Sequence, residues 1–377
     1  MYKPPFCPYD SCSHHVDPPD QKWWSRDGFH ATKTFGRVQR YVCHNCGRTF
    51  SKQTFSVHFY AKFVLDLRRL ERLSASSMSL RSLAKEFRCS CDSVTNRNDR
   101  IARQGIALHT ELRRKTTTTE AICFDGLVSF DRSQYFPSDI GLSITAKSRY
   151  IYAASHATTR RSGSMRDEQK KRRDRLYEGT HFEKKAVERS FTEHLDLLAD
   201  VRTTSKRTPL VFITDEKIEY VRAFRKHRLY RNQGEDSRCV QIQVSSTLKR
   251  TFSNPLFASN YLDREIRKDQ ANHRRESTCY SRNAANSMSR LYSYIVWHNY
   301  HKRYLIKGPV HIKTTAAEKA GIPCDEQNRL RQHMFSRRSF LSHLTLAAID
   351  YKAWTKAVFS PLSGTLVCGT LPAFAFG

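Results

Sequence analysis

Ala121-Ile-Cys-Phe-Asp-Gly-Leu-Val-Ser-Phe130 reads as a buried β-strand that carries a carboxylate in its middle. Apolar residues flank Asp125 on both sides, and a charge in such a place is costly unless something pairs with it. Outward from this stretch the short period continues. Ile140 to Thr145 and Arg149 to Ser155 read as two further strands joined by short turns, an antiparallel meander. A very basic stretch, Arg160 to Arg175, leads to a helix over about Phe182 to Leu198. The apolar strand Pro209-Leu-Val-Phe-Ile-Thr214 then ends on Asp215. A helix over Lys217 to Lys226, a strand over Val240 to Ser245 and a long helical segment from about Tyr261 complete the order. The fold class expected is an α/β domain with a mixed five-stranded sheet.

The acids in this order suggest a site for divalent ions. Asp125 lies within the first strand and Asp215 ends the fourth, so both can reach one end of a sheet. A third acid is expected on the helix from Tyr261, in Leu262-Asp-Arg-Glu-Ile-Arg-Lys-Asp269. Glu265 is the first choice there, with Asp263 and the more distant Glu276 as alternates. Hard cations such as Mg²⁺ or Mn²⁺ prefer carboxylate oxygens. Two of them about 4 Å apart can activate an attacking oxygen and neutralise a leaving one in phosphodiester chemistry. Arg264, Arg267 and Lys268 on the same helix are expected to meet substrate phosphates. A strand-end aspartate such as Asp215 is also a common helix N-cap, and that reading stays open.

The N-terminus carries a second kind of metal signal. Cys7-Pro-Tyr-Asp-Ser-Cys12 and Cys43-His-Asn-Cys46 bracket a spacer of about thirty residues with few apolar side chains. Four thiolates on one Zn²⁺ would supply the missing stabilisation, and four protein ligands leave no open position, so the ion is expected to be structural. Residues 1–52 are taken as this unit. Residues 53–112 read as helical. Phe59, Phe63, Val64, Leu67 and Leu70 recur at helical spacing and predict one helix from Phe55 to Leu73. Leu80, Leu83, Ala84 and Phe87 predict a second, and a break at Arg88-Cys-Ser90 precedes a third over about Cys91 to Arg103. The last two suggest a helix-turn-helix whose second helix presents Thr95, Asn96, Arg97 and Arg100 to a major groove. A plain helical hairpin is the other reading. Residues 113–120, Arg-Arg-Lys and a run of threonines, read as a linker to the domain of residues 121–305. Residues 306–377 are a C-terminal extension of unassigned role.

Over the whole chain of 377 residues, 65 Lys and Arg stand against 36 Asp and Glu, a net charge of +29. Such an excess repels itself and is best neutralised by a polyanion, which makes double-stranded DNA the expected partner. The 11 cysteines are an odd number with two close pairs, and no cationic, apolar leader follows Met1. Metal ligation in a reducing cytoplasm, rather than a disulfide framework, is therefore expected. The apolar tail from Val358 is interrupted by Pro361, Gly364, Gly369 and Pro372, so no membrane-spanning helix is expected.

Gln39-Arg-Tyr-Val-Cys-His-Asn-Cys-Gly-Arg-Thr-Phe50 resembles the second half of the zinc ribbon that opens many bacterial insertion-sequence transposases. An Arg-Tyr-x-Cys-x-x-Cys-Gly-x-Thr-Phe run is typical there. The order of strands and helices after residue 121 is similar to the ribonuclease H-like fold of transposases and retroviral integrases. The segment Arg274 to Arg282 resembles one found downstream of the family's catalytic Glu, and Trp297-His-Asn-Tyr300 resembles the stretch that ends many such domains. Asp263-Arg264 stands where the family can have a Glu-Arg pair. The resemblance covers residues 1 to about 305. It implies a DDE-type transposase that binds terminal inverted repeats as a homo-oligomer, cleaves there with Mg²⁺ or Mn²⁺, and joins the freed ends to target DNA. Two other readings of the residues stay open: an inactive DNA-binding regulator, and a protein that binds single-stranded RNA through the basic segment around Lys170.

Overall fold

The computed structural model describes residues 2–202, 208–232, 238–274, 279–305, 314–369, 371–372 and 375. Glu276 lies outside the described residues. The N-terminal unit comprises α1 (Ser13–Val16), β1 (Trp24–Thr32), β2 (Gly36–Cys43) and β3 (Thr49–Ser51). Its strands form an antiparallel sheet in the order β1-β2-β3. The sequence is poor in apolar residues here, and part of the cover comes from far along the chain. Trp23, Trp24, Tyr41, Phe50 and Phe55 share a small core with Phe340. The Phe6 ring also stacks on His343 at 3.9 Å.

Three helices follow: α2 (Leu67–Ser74), α3 (Leu80–Glu86) and α4 (Cys91–Arg113). Asp66, Ser79 and Ser90 cap them by accepting hydrogen bonds from the amides of Arg69, Ser82 and Ser93. The helix predicted from Phe55 starts only at Leu67. The backbone before it is committed elsewhere: the Val57 N–H donates to the Ser336 carbonyl, Ser56 bridges to Arg337, and Arg100 donates to the Val57 and Phe59 carbonyls. At the other end α4 runs past Arg103 and carries the predicted linker's first residue, Arg113, into a buried bidentate ion pair with Asp350.

The remainder is an α/β unit. In chain order it contains β4 (Ile122–Phe130), β5 (Pro137–Thr145), β6 (Ile151–Ala154), β7 (Ala157–Thr158), α5 (Asp167–Tyr177), α6 (Ala186–Val201), β8 (Leu210–Asp215), α7 (Ile218–Lys226), α8 (Arg228–Arg231), β9 (Cys239–Val244), α9 (Phe257–Asp269) and α10 (Ala284–Tyr300). The sheet is mixed, in the order β6-β5-β4-β8-β9, with β7 pairing to β5. β4, β5 and β6 are antiparallel neighbours, whereas β4, β8 and β9 run parallel. One face buries Phe124 against Phe191 of α6 and Tyr220 of α7, with ring centroids 4.5 and 5.0 Å away. Cys123 and Leu127, which alternate with Phe124, belong instead to a core with Leu262 and Ile266 of α9 and Leu291 of α10. This alternation is what a strand covered on both faces requires.

After α10 come α11 (Ala316–Lys319), α12 (Cys324–Ser336), α13 (Ala348–Trp354) and the hairpin of β10 (Ala357–Ser360) with β11 (Thr365–Cys368). α12 and α13 pack on α4, so the extension is an integral part of the helical layer. Among the described residues no helix is long and apolar enough to cross a membrane.

Candidate metal centre and acidic groove

The four predicted cysteines converge. Their sulfurs all lie within 4.8 Å of one another, with Cys7 to Cys46 and Cys12 to Cys43 each at 3.8 Å. A Zn–S bond of about 2.3 Å implies tetrahedral S···S edges of about 3.8 Å, so two of the edges already have the length that a bound zinc ion needs. β2 delivers Cys43, and the tight turn after it returns Cys46, its Gly47 amide donating to the Cys43 carbonyl. Cys7 and Cys12 flank the turn before α1, where the Cys12 amide donates to the Tyr9 carbonyl. Burial pushes the Cys7 and Cys43 thiols up. Cys12 moves down to about 7: burial raises it, but the Asn45 amide donating to its sulfur at 3.2 Å and other hydrogen bonds outweigh that. His14 and His44 are not needed to complete the set.

Asp125 and Asp215 also meet, through strand register. Cys123 of β4 is paired with Ile213 of β8 in parallel, and two residues further along both strands stand Asp125 and Asp215. Both line a groove of about 880 Å³ with Asp263, which reaches it from α9. Burial and then the neighbouring Asp215 raise the Asp125 carboxyl from its ordinary value to about 6. Its Oδ1 accepts from the Gly126 amide at 2.7 Å, while Asp215 Oδ1 accepts from the Lys217 amide at 3.1 Å. Asp215 thus closes a turn ahead of α7, whose N-cap is Lys217 without a side-chain cap, so it stands in the groove and is not the N-cap that its strand-end position suggested. Arg250, Arg264, Arg267, Arg274 and Lys217 supply the opposite charge along the walls.

A fourth carboxylate, Asp139, was not singled out from the sequence. Its strand was expected to begin at Ile140, but β5 starts at Pro137 and puts Asp139 opposite Val128. Its carboxylate rests on Gly126, where any Cβ would collide with it. Asp139 Oδ2 accepts from the Lys217 ammonium at 2.8 Å, while its buried Oδ1 has no hydrogen-bond partner among the described residues. Burial lowers the Lys217 ammonium, but Asp139, Asp215 and Asp125 more than offset this and hold it charged.

Glu265 is not brought to the groove. It lies 3 % exposed on the core side of α9, ion-paired with Lys302 and with Lys268 at 2.8 Å. Burial raises its carboxyl, yet these two ammonium groups draw it below the ordinary range. The physical reason is helical phase, because Glu265 shares the stripe of Ala258, Leu262 and Ile266, all buried, while Asp263 is off it. Lys268 is spent on Glu265 for the same reason. Arg264 and Arg267 do line the groove, although Arg267 also donates to the carbonyls of Val128 and His273.

On α4 the predicted DNA contacts divide. Thr95 and Asn96 are partly exposed, whereas Arg97 and Arg100 are only 5 % and 6 % exposed and face inward. Arg100 holds the Val57 and Phe59 carbonyls at 2.8 and 2.6 Å, and burial lowers it to about 9. These two arginines tie the irregular segment before α2 to the helix and are not presented to a groove of DNA.

No protein-family model matches the chain, and no curated protein matches it.

Proposed function

We propose that the chain is a metal-dependent enzyme that cuts and joins double-stranded DNA, in the manner of the insertion-sequence transposases that its N-terminal segment resembles. The observation that carries this reading is the register that sets Asp125 and Asp215 side by side on adjacent parallel strands, with Asp263 facing them from α9. The sheet order, three antiparallel strands followed by two parallel ones, suits a ribonuclease H-like domain. Asp263 replaces Glu265 as the proposed third acid. The donors suit a hard divalent cation: Asp125 is raised by burial and by Asp215, and Asp139 offers an unpartnered oxygen close by. Mg²⁺ or Mn²⁺ held by Asp125, Asp215 and Asp263 would polarise a phosphate oxygen and stabilise charge on the leaving oxygen. The chain's own part is to bind and orient. Arg250, Arg264 and Arg274 flank the acids and can hold the phosphates on either side of the bond to be broken. The four-cysteine cluster, as a zinc ribbon, has a structural role. In the α3–α4 pair, read as a helix-turn-helix, the first two turns of α4, with Thr95 and Asn96, are the part left to touch a duplex.

One observation favours the inactive regulator as a second reading: Lys217 already places a positive charge among the acids. Nicking of supercoiled plasmid in Mg²⁺ or Mn²⁺ separates the two. We expect Asp125→Asn or Asp215→Asn to lower the nicking rate by about a thousandfold or more, with duplex binding retained. Wild-type protein that binds but never nicks, or variants that nick as well as wild type, would overturn the enzymatic reading.

A further inference from the structure

A second groove, of about 960 Å³, runs between the N-terminal sheet and the segment of residues 336–338. Its lining includes Lys3, Arg37, Lys52 and Arg337, all exposed, and among the described residues contains no acidic side chain. The groove thus has four exposed cations, with the half-buried Arg338 as a fifth, and no acidic side chain within its described lining. Its floor is fixed by backbone bonds across the seam. The Val57 amide donates to the Ser336 carbonyl at 3.2 Å, the Arg338 amide donates to the Phe55 carbonyl at 2.9 Å, and Ser56 bridges to Arg337.

Aromatic rings alternate with these cations. Phe29 is 53 % exposed, with the Arg37 guanidinium 4.6 Å from its ring centroid. Phe35 is half-buried near His58, and Lys52 stands 5.5 Å from the Tyr2 ring centroid. A duplex keeps its base faces stacked inside and would meet this surface with phosphates alone. An exposed ring among cations gains more from an unpaired strand, whose bases can stack while its phosphates follow the basic wall. We infer that this groove binds unpaired DNA, with phosphates on Lys3, Arg37, Lys52 and Arg337 and bases stacked on Phe29 and Phe35. The inference deepens the nucleic-acid part of the proposed function and stands without the catalytic part, because its test reads binding alone.

The test is fluorescence anisotropy of the full-length, zinc-loaded protein with labelled oligodeoxythymidine and with a duplex of equal length, in the absence of Mg²⁺. Phe29→Ala is expected to weaken single-strand binding about tenfold while changing duplex binding less than about twofold, and Phe29→Trp to restore it. Lys52→Glu and Arg337→Glu are expected to weaken single-strand binding and to flatten its salt dependence. Zinc content and melting temperature at wild-type levels verify each variant's fold. Arg337→Glu lies outside the N-terminal sheet and keeps the test open should Phe29→Ala misfold. Unchanged single-strand affinity in well-folded Phe29→Ala or Arg337→Glu would overturn the proposal. So would competition by polyglutamate as effective as by the oligonucleotide.

Discussion

At the N-terminus four sulfurs lie within 4.8 Å of one another, two of the edges already at tetrahedral length, whereas Asp125, Asp215 and Asp263 line one groove without being gathered to that degree. Among the described residues the cysteines are the only set of three or more such side chains drawn so close. The difference follows from charge. Protonated thiols are neutral and can crowd, and the short Cys43–Cys46 turn forces them together. Carboxylates repel: burial first and then the neighbouring Asp215 raise Asp125 to about 6, and Lys217 is held among them as a partial counterweight. A site that serves the fold can be closed in advance. A site proposed to handle phosphodiesters must leave room for cations and substrate.

The largest effect expected from breaking this comparison is at the sulfur end. Zinc binding at such sites stabilises by about 10–16 kcal/mol in apparent terms, far more than the small aromatic core around Trp23 and Trp24 can replace. Cys43→Ser/Cys46→Ser should therefore lose zinc and expose both tryptophans, read by metal analysis and by a red shift of Trp emission. The mixed sheet, whose core is separate, should persist in far-UV circular dichroism. Zinc retained by the double variant would remove the structural role assigned to the cluster.

A smaller effect sharpens the contrast from the side of the helical and sheet cores. Burial holds His109 down to about 4 and His194, His273 and His298 down to about 3. His109 is satisfied as a neutral ring between Tyr300 and the Tyr152 carbonyl, and His194 between Ser143 and Ser155. The sign follows directly. These rings take up protons near pH 6.5 only when unfolded, so their contribution is complete above about 6.5 and is lost as the pH falls toward 4. At pH 5 each can contribute up to about 2 kcal/mol of destabilisation. Melting temperatures between pH 7.5 and 5 should fall steeply in the cysteine variant too, which has no zinc left to lose. A flat profile in that variant would show that acid acts through the metal cluster alone.

The parts of this architecture that were legible in the sequence are those set by local period. β4 and β8 announce themselves as short apolar runs, and Asp125 and Asp215 stand out because they interrupt or end them. Asp139 stayed hidden because Pro137, a residue that usually argues against strand, opens β5. Arg97 and Arg100 looked like a polar helix face. The carbonyls that bury Arg100 belong to residues 57 and 59, a segment pinned in turn by residues 336–338, and that long-range pairing leaves no local trace. The buried setting of Glu265 is legible as well: Ala258, Leu262 and Ile266 mark its face of α9 as apolar, and choosing it as the third acid sets its chemistry above that burial.

That choice yields the smallest predicted effect. Glu265→Gln removes one charge from a pair of lysines, one of which, Lys268, is more than half exposed, so water can take over much of its solvation. Nicking activity should stay within about threefold of wild type, with a modest drop in melting temperature from the buried Lys302 contact. Asp263→Asn, two residues away, alters a side chain at the groove and should behave like Asp125→Asn while leaving the melting temperature close to wild type. The two substitutions have the same chemistry on the same helix, so only the face they occupy differs. If Glu265→Gln abolished nicking and Asp263→Asn did not, α9 would have to rotate when cations and DNA bind, and the acidic groove would be less preformed than its two aspartates on the sheet suggest.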